Sequence, residues 1–134
     1  MTLVEANRLV SFGLVVLIWL VQVIIYPAFA EIPADRFARW HAGYTRGVTW
    51  IVAPLMFGQV ILLIRLLVAR PTWPVFVALG MVATAWIATF AVAVPAHDQL
   101  QAAGVDADSI RRLVATNWIR TAAWTLAFLS LLAA

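Results

Sequence analysis

The sequence predicts an all-α membrane protein, a four-transmembrane-helix bundle with a short interfacial helix between spans one and two. Composition is the first observation behind this class: hydrophobic residues make up 65% of the chain and charged residues 11%, whereas soluble domains are about 45–50% apolar and about 25% charged. The second observation is that the apolar residues form four runs, each of roughly the 18–22 residues that an α-helix needs to cross about 30 Å of hydrocarbon.

Helices are favoured over strands because only helices and closed barrels satisfy their backbone hydrogen bonds in lipid. The alternating pattern of a barrel is absent from the runs. A chain of 134 residues is expected to form one integral-membrane domain, residues 1–134. Cysteine is absent, which excludes disulfides, thiolate metal sites and thiol nucleophiles.

The net charge of +3 comes from nine basic residues, all of them arginine. They are scattered around the apolar runs, so we expect membrane lipid and no nucleic acid as a partner. Six arginines lie on the side of the two long connections described below and three on the other side, or four against three if Arg46 and Arg120 belong to a site. The positive-inside rule then favours the cytoplasm for the long connections, in a multi-pass protein of the bacterial inner membrane.

The four apolar runs cover, in chain order, residues 9–26, 48–69, 75–94 and 113–134. The first run has no small-residue cleavage site after it, so we interpret it as a retained span rather than a signal peptide. Pro27 follows the first run and Pro95 follows the third, and each is expected to end its span.

The connections between the runs are unequal in length. Residues 70–74 make a tight turn between runs two and three, whereas residues 28–47 and 96–112 form long connections. With four spans, both long connections lie on the same face of the membrane. The first is predicted to hold the interfacial helix, which begins at Pro33. The second is predicted to contain a helix that is capped by Asp106 and runs into span four.

Two short patterns suggest an internal repeat of two helical hairpins with the same orientation. The sequences YPAF at residues 26–29 and VPAH at residues 94–97 both end a span, and the pattern Arg-x-x-x-Trp at Arg46 and at Arg120 opens the next one. Such hairpins would be related by an axis along the membrane normal. Small motifs also recur by chance in apolar sequence, so coincidence is the alternative.

His41 and His97 are the candidate ligands or proton carriers, because neutral imidazole binds metals and titrates near neutrality. His41 lies on the apolar face of the predicted interfacial helix, on the same side of the membrane as His97, with Asp98 or Glu31 as a possible carboxylate partner. A His-bound metal or haem is therefore one expectation, although no spacing selects a metal. The alternative for His97 is a hydrated residue at the end of a helix, where a cation is stabilised.

Asn117 and Arg120 share a face of the last predicted helix and lie inside its apolar run. They predict either a polar cluster with a carboxylate or an anionic ligand, or an arginine that snorkels to the headgroups. Gln22 is an amide within a span, which could bond between helices or line a pocket. The residues expected to bind substrate are Gln22, Tyr26, Tyr44, Arg46 and Trp118.

Two motifs in the second half carry a family resemblance: VPAHDQL at residues 94–100 and NWIRT at residues 117–121. They resemble the anthrone-oxygenase-like family of small four-helix membrane proteins, whose members show a proline before a short polar stretch and a polar-x-x-Arg-Thr start to the last helix. His97 stands where the commoner family pattern has Asn. The whole chain is similar to a bacterial branch through Tyr26-Pro27, Phe37, His41, Tyr44 and Pro54-Leu55-Met56. The resemblance implies a four-helix bundle and oxygenation of a hydrophobic aromatic compound.

Two classes of function follow from these residues. The first is a membrane-embedded oxidoreductase or oxygenase that admits a hydrophobic, aromatic small molecule from the bilayer. Its polar catalytic wall would consist of His41, His97, Asp98, Asn117 and Arg120, with the last two holding an oxyanion or polarising a carbonyl. The second is a non-catalytic bundle that binds a ligand, transports it or stabilises a partner, with a homo-oligomer as one possibility.

Overall fold

The computed structural model describes all 134 residues and contains only helices. Four helical rods follow one another: α1 (Leu3–Glu31), α2 (Ala34–Ala69), α3 (Trp73–Ala103) and α4 (Ala107–Leu132). The first three are long and apolar enough to cross a membrane. α4 is less apolar because Asn117, Arg120 and several threonines interrupt its middle. The all-helical class is therefore confirmed, with three helices that are apolar enough to span a membrane, and the fourth span stays a prediction.

α1 begins earlier than the first apolar run, because Thr2 and Glu5 form a capping box. The Thr2 hydroxyl accepts a hydrogen bond from the Glu5 amide at 3.2 Å, and the Thr2 amide donates to the Glu5 carboxylate at 2.7 Å. This reciprocal pair satisfies two amides that an uncapped helix start leaves without partners. The capping box explains why the helix includes polar residues ahead of its apolar stretch.

The expectation that Pro27 and Pro95 end their spans is wrong. A π-helical segment, Val21–Ile25 in α1 and Thr89–Ala93 in α3, ends one residue short of each proline, and the helix continues beyond the proline. A proline in an α-helix clashes with the carbonyl four residues earlier. In both helices that carbonyl belongs to the π segment, whose wider turn accommodates the ring. Both hairpins therefore contain a π segment before a proline. This structural similarity comes in addition to the sequence patterns of the suggested repeat.

The separate interfacial helix between spans one and two is also a wrong prediction. The helix begins at Ala34, one residue after the predicted start at Pro33, and runs without interruption to Ala69 as α2. The sequence between the two predicted elements contains Gly43 and Gly47, each of which lowers helix propensity by only about 1 kcal/mol. Pro54 lies inside α2 as well. Neither glycine is a strong enough breaker to divide the helix ahead of the second apolar run.

The second long connection is mostly helix too, apart from a short break at residues 104–106. Gly104 ends α3 in the left-handed region, with a φ of 85°, where glycine meets no Cβ penalty. The predicted cap of α4 is confirmed, since the Asp106 carboxylate accepts a hydrogen bond from the Ser109 amide at 2.9 Å. The Ser109 hydroxyl and amide together hold the pKa of the Asp106 carboxyl below its usual value.

The rods pack as a bundle in which α4 is central. α4 packs most extensively against α3 and also against α1, whereas α2 packs mainly on α1 and touches α3 little. Large apolar side chains cover the outside, among them Trp50, Val68 and Trp73, which are 77%, 80% and 78% exposed. Such a surface is typical of a protein that is surrounded by lipid.

Candidate functional site

Hydrogen bonds join the ends of three helices to the middle of α4. The His41 Nδ1 atom lies 2.8 Å from Gln101 Oε1, and the His41 Nε2 atom lies 2.9 Å from His97 Nδ1. The other nitrogen of His97, Nε2, lies 2.9 Å from the Tyr26 hydroxyl. Arg120 Nη1 then donates to that hydroxyl at 3.5 Å. We call this sequence of contacts, from Gln101 through His41, His97 and Tyr26 to Arg120, the polar chain.

The backbone carbonyl of Ala38, which can only accept a hydrogen bond, sets the direction of every hydrogen bond in the polar chain. Gln101 Nε2 donates to the Ala38 carbonyl at 3.1 Å. Gln101 Oε1 therefore faces His41, and His41 Nδ1 must donate to it. A neutral His41 therefore accepts at Nε2 from His97 Nδ1, and His97 accepts at Nε2 from the Tyr26 hydroxyl. Each member thus donates to the next, from Arg120 to the Ala38 carbonyl.

Gln22 anchors the inner end of this arrangement. Its side-chain oxygen accepts from Asn117 Nδ2 at 2.9 Å and from the Thr121 hydroxyl at 3.0 Å, while its nitrogen donates to the Val114 carbonyl at 3.0 Å. Asn117 in turn accepts from Arg120 Nη1 at 3.1 Å. Gln22, Asn117 and Thr121 are all buried, and these bonds fasten α1 to α4.

Arg120 is a buried cation without a carboxylate partner. The residue is 7% exposed, and the ion pairs of the chain, Arg36 with Asp35 and Arg111 with Asp108, lie on the exposed surface. Its guanidinium packs 5.2 Å from the centre of the Trp124 ring, and Nη2 makes no hydrogen bond within the chain. A charge that is buried and unpaired raises the free energy of a folded protein unless a ligand compensates it.

A cavity of about 370 Å³ lies against the polar chain. Its polar wall includes Tyr26, His41, Tyr44, His97 and Arg120, and 13 of its 21 lining residues are hydrophobic. The volume falls in the range of about 300–1,000 Å³ that small-molecule sites occupy. The site therefore combines an apolar chamber with hydrogen-bonding groups at one end.

The cavity reaches the outer surface between α2 and α3. Phe57 of α2 and Phe90 of α3 both line it, and both are 58% exposed on the side that would face lipid. The two helices touch each other little, so this seam is the most open one in the bundle. The cavity is therefore bordered by exposed apolar side chains on the outer face of the bundle.

Most of the predicted site residues meet. His41, His97, Tyr26, Tyr44 and Arg120 line the cavity, and Asn117 and Gln22 lie directly behind Arg120. Asp98 also lines the cavity, but it is exposed and bonds to neither histidine, and Glu31 is likewise exposed. The expected carboxylate partner is therefore not engaged.

Arg46 and Trp118, two of the residues expected to bind substrate, lie outside the cavity. Both are exposed, and Trp118 packs edge to face on Trp19 at 5.5 Å. Arg46 follows His41 by five residues on an unbroken helix, which turns it about 140° away from the polar chain. Trp118 precedes Arg120 by two residues and lies about 200° around α4. Helix rotation thus explains why neither reaches the site.

The donor set does not fit the expected metal or haem site. All four imidazole nitrogens of His41 and His97 are engaged in the hydrogen bonds of the polar chain, two of them with each other. No third His, Cys, Asp or Glu side chain joins them in a group that could hold a metal ion. The same nitrogens are well arranged to accept and donate protons.

Sequence reasoning missed Gln101, Thr121 and Trp124. Each lies four residues after a predicted site residue, namely His97, Asn117 and Arg120. Side chains at this spacing share a helix face, so the spacing itself was the signal that could have found them. Phe29 was missed as well, and its ring contacts those of Tyr44 and His41 at centroid distances of 5.3 and 5.7 Å.

Comparison of the chain with protein-family models, with curated proteins and with solved structures finds no match. The resemblance to the anthrone-oxygenase-like family therefore rests on sequence motifs alone and stays a prediction. The fold and the site define the class of protein: a helical bundle with three helices apolar enough to span a membrane, and with a mainly apolar cavity that has polar groups on its wall.

Proposed function

We propose that this protein is a membrane-embedded enzyme, an oxygenase of the oxidoreductase class that acts on a hydrophobic aromatic ketone. One observation carries the proposal: the Tyr26 hydroxyl lies between the unpaired Arg120 guanidinium and a lone pair of His97, on the wall of an apolar cavity. A phenol between a cation and a base is equipped to remove a proton from a weak acid.

The substrate that fits is a flat, apolar ketone. Its carbonyl is conjugated to two aromatic rings, and an acidic CH₂ group joins the same two rings. Arg120 Nη2, which is free of other bonds, would donate to the ketone oxygen and stabilise the enolate as its charge develops. Tyr26 would pass its proton to His97 Nε2 and, as a phenolate beside Arg120, take the C–H proton. Asn117 and Gln22 would position the guanidinium through their hydrogen bonds.

Molecular oxygen would be the co-substrate. The enolate carbon would transfer electrons to O₂ and form a C–O bond, and the resulting peroxide would lose water to leave a new carbonyl. The balance is one CH₂ group and one O₂ giving one C=O group and one water. The family resemblance implies this oxygenation, and the absence of a suitable ligand set around His41 and His97 favours a route in which the protein itself supplies acid–base groups.

The test compares two arginines of the same chain in purified, detergent-solubilised protein. With a tricyclic aromatic ketone that has a reactive methylene group, we expect oxygen uptake and formation of the diketone. Arg120→Gln should lower kcat/KM about 100-fold or more, the usual effect of removing an oxyanion donor. Arg46→Gln should leave it unchanged. Equal turnover in wild type and Arg120→Gln would contradict the proposal, and ligand binding without turnover would make the chain a non-catalytic bundle.

We also propose that α4 is the fourth span and that the protein resides in the bacterial inner membrane. α4 packs along α1 and α3, and Arg120 points into the bundle rather than toward lipid. The chain has no cysteine, so single substitutions Thr72→Cys, Val105→Cys and Ala133→Cys can be labelled in membrane vesicles. Four spans predict that positions 72 and 133 react from one side and position 105 from the other. Labelling of position 133 from the same side as position 105 would refute the fourth span.

A further inference from the structure

The polar chain extends beyond the groups that the proposed reaction needs. Tyr26 and Arg120 suffice to hold an enolate, with His97 as the acceptor of the phenol proton. Yet His97 bonds onward to His41, which is 1% exposed, and His41 bonds to Gln101, which is exposed at the end of the bundle. The contacts therefore lead from the cavity wall to water.

The surroundings of His41 hold its ring in this path. Phe37 stacks on the ring at a centroid distance of 5.2 Å, and Phe29 meets it edge-on at 5.7 Å. A polar ring buried among aromatic side chains raises the free energy of the fold unless its nitrogens are bonded, and an apolar residue would pack there without that requirement. Both nitrogens are bonded, one to the imidazole of His97 and the other to the exposed side-chain amide of Gln101.

We infer that His97 and His41 form a proton relay that equilibrates the Tyr26 hydroxyl with water at the Gln101 end of the bundle. This inference rests on the proposed function, because the proton that it moves is the one taken from the substrate. His41 is a relay residue that acts through His97 and Tyr26, whereas Tyr26 is the group that meets the substrate.

The steps balance without an oxidant. The Tyr26 proton moves to His97 Nε2 as the His97 Nδ1 proton moves to His41 Nε2, which leaves a phenolate beside Arg120 and an imidazolium at His41. The His41 Nδ1 proton then passes to a water molecule that takes the place of the exposed Gln101 amide, because the amide itself does not take up a proton. The phenolate takes the substrate C–H proton and becomes a phenol again. The net change is one proton moved from carbon to water and one substrate anion paired with Arg120, and the reverse sequence returns a solvent proton to the carbon.

The relay can be tested without oxygen, through exchange of the substrate C–H for deuterium in D₂O. Wild-type protein with the tricyclic ketone is expected to exchange it. His41→Gln keeps an oxygen that accepts from His97 Nδ1, but an amide does not take up a proton. It should still bind the ketone and, at saturating ketone, exchange about 100-fold more slowly, within the usual contribution of an acid–base group. Trp118→Phe, on the outer surface, should exchange as wild type does.

Chemical rescue separates a relay from a structural role. In His41→Ala, which leaves space at the end of the bundle, added imidazole should restore exchange in proportion to its concentration. Unchanged exchange in His41→Gln, or no rescue of His41→Ala that still binds the ketone, would overturn the relay while leaving the proposed function in place. Absence of exchange in wild-type protein that binds the ketone would overturn both.

Discussion

The two helical hairpins of this protein, α1–α2 and α3–α4, share a π segment before a proline and differ in whether the arginine of their second helix is buried. In both hairpins a π segment precedes a proline near the end of the first helix, and Arg-x-x-x-Trp follows in the second helix. Arg46 and Trp50 of α2 are exposed, whereas Arg120 and Trp124 of α4 are 7% and 0% exposed. The same short pattern therefore lies outside the bundle in one half and inside it in the other.

The position of each helix in the bundle accounts for this difference. α4 is packed between α1 and α3, and nine of its 26 residues are buried, against six of the 36 residues of α2. The two arginines lie at about the same distance from the starts of their helices. Burial of Arg120 therefore reflects which face of a central helix it occupies and not its depth alone.

The largest expected effect concerns the binding of anions by these two arginines. A naphthoate anion should quench tryptophan fluorescence of the wild-type protein and bind more tightly than neutral naphthamide. Arg120→Gln should weaken naphthoate binding about 30-fold or more, as loss of a buried charge partner costs at least about 2 kcal/mol. Arg46→Gln should not change it. Equal affinities of the two variants would remove the distinction between the hairpins.

The thermal stability of the same Arg120→Gln variant tests whether burial of the Arg120 charge destabilises the fold. Without ligand, its midpoint of thermal unfolding in detergent should equal or exceed that of wild type, because the variant no longer buries a charge that lacks a carboxylate. A clear fall in the midpoint would mean that the bonds of Arg120 to Asn117 and Tyr26 outweigh the burial of its charge.

A smaller effect is expected at the seam between the hairpins. Gln22→Leu leaves the buried Asn117 Nδ2 without a partner and removes a second bond from the Val114 carbonyl, which should lower the free energy of unfolding by about 1–3 kcal/mol. Gln99→Leu, an exposed glutamine without a hydrogen bond in the chain, is the matched control and should be nearly neutral. Equal stabilities of the two variants in denaturant titrations would show that this network does not hold α1 to α4.

The smallest effect concerns the starts of α2 and α4. Pro33 gives α2 no side-chain cap, whereas Asp106 caps α4. Since bonds from Ser109 lower the pKa of the Asp106 carboxyl, its contribution to stability is complete above the ordinary aspartate pKa of about 3.9. It declines as the pH falls through the lowered pKa. Asp106→Asn, which caps without titrating, should lose less stability than wild type between neutral and acidic pH, as measured by thermal unfolding.

Several parts of the site were predictable because they depend on one helix at a time. The inward face of Asn117 and the shared face of His41 and Tyr44 follow from helical spacing, and the structure confirms both. The exclusion of Arg46 and Trp118 was not predictable in this way, since the rotation of α2 follows from its unbroken course and that of α4 from its packing. The partners of His41 lie 56 and 60 residues away in sequence, beyond the reach of any periodicity.

The sequence alone determined that this is a helical membrane-type bundle, because lipid requires long apolar segments whose backbone groups bond internally. It also determined the start of α4, because a cap needs only the residues next to it. Tertiary structure decided whether the helices continue beyond Pro27 and Pro95, which of two similar arginines is buried, and that two histidines, a tyrosine and an arginine meet. These outcomes depend on how helices pack against one another, and packing joins side chains that no local pattern relates.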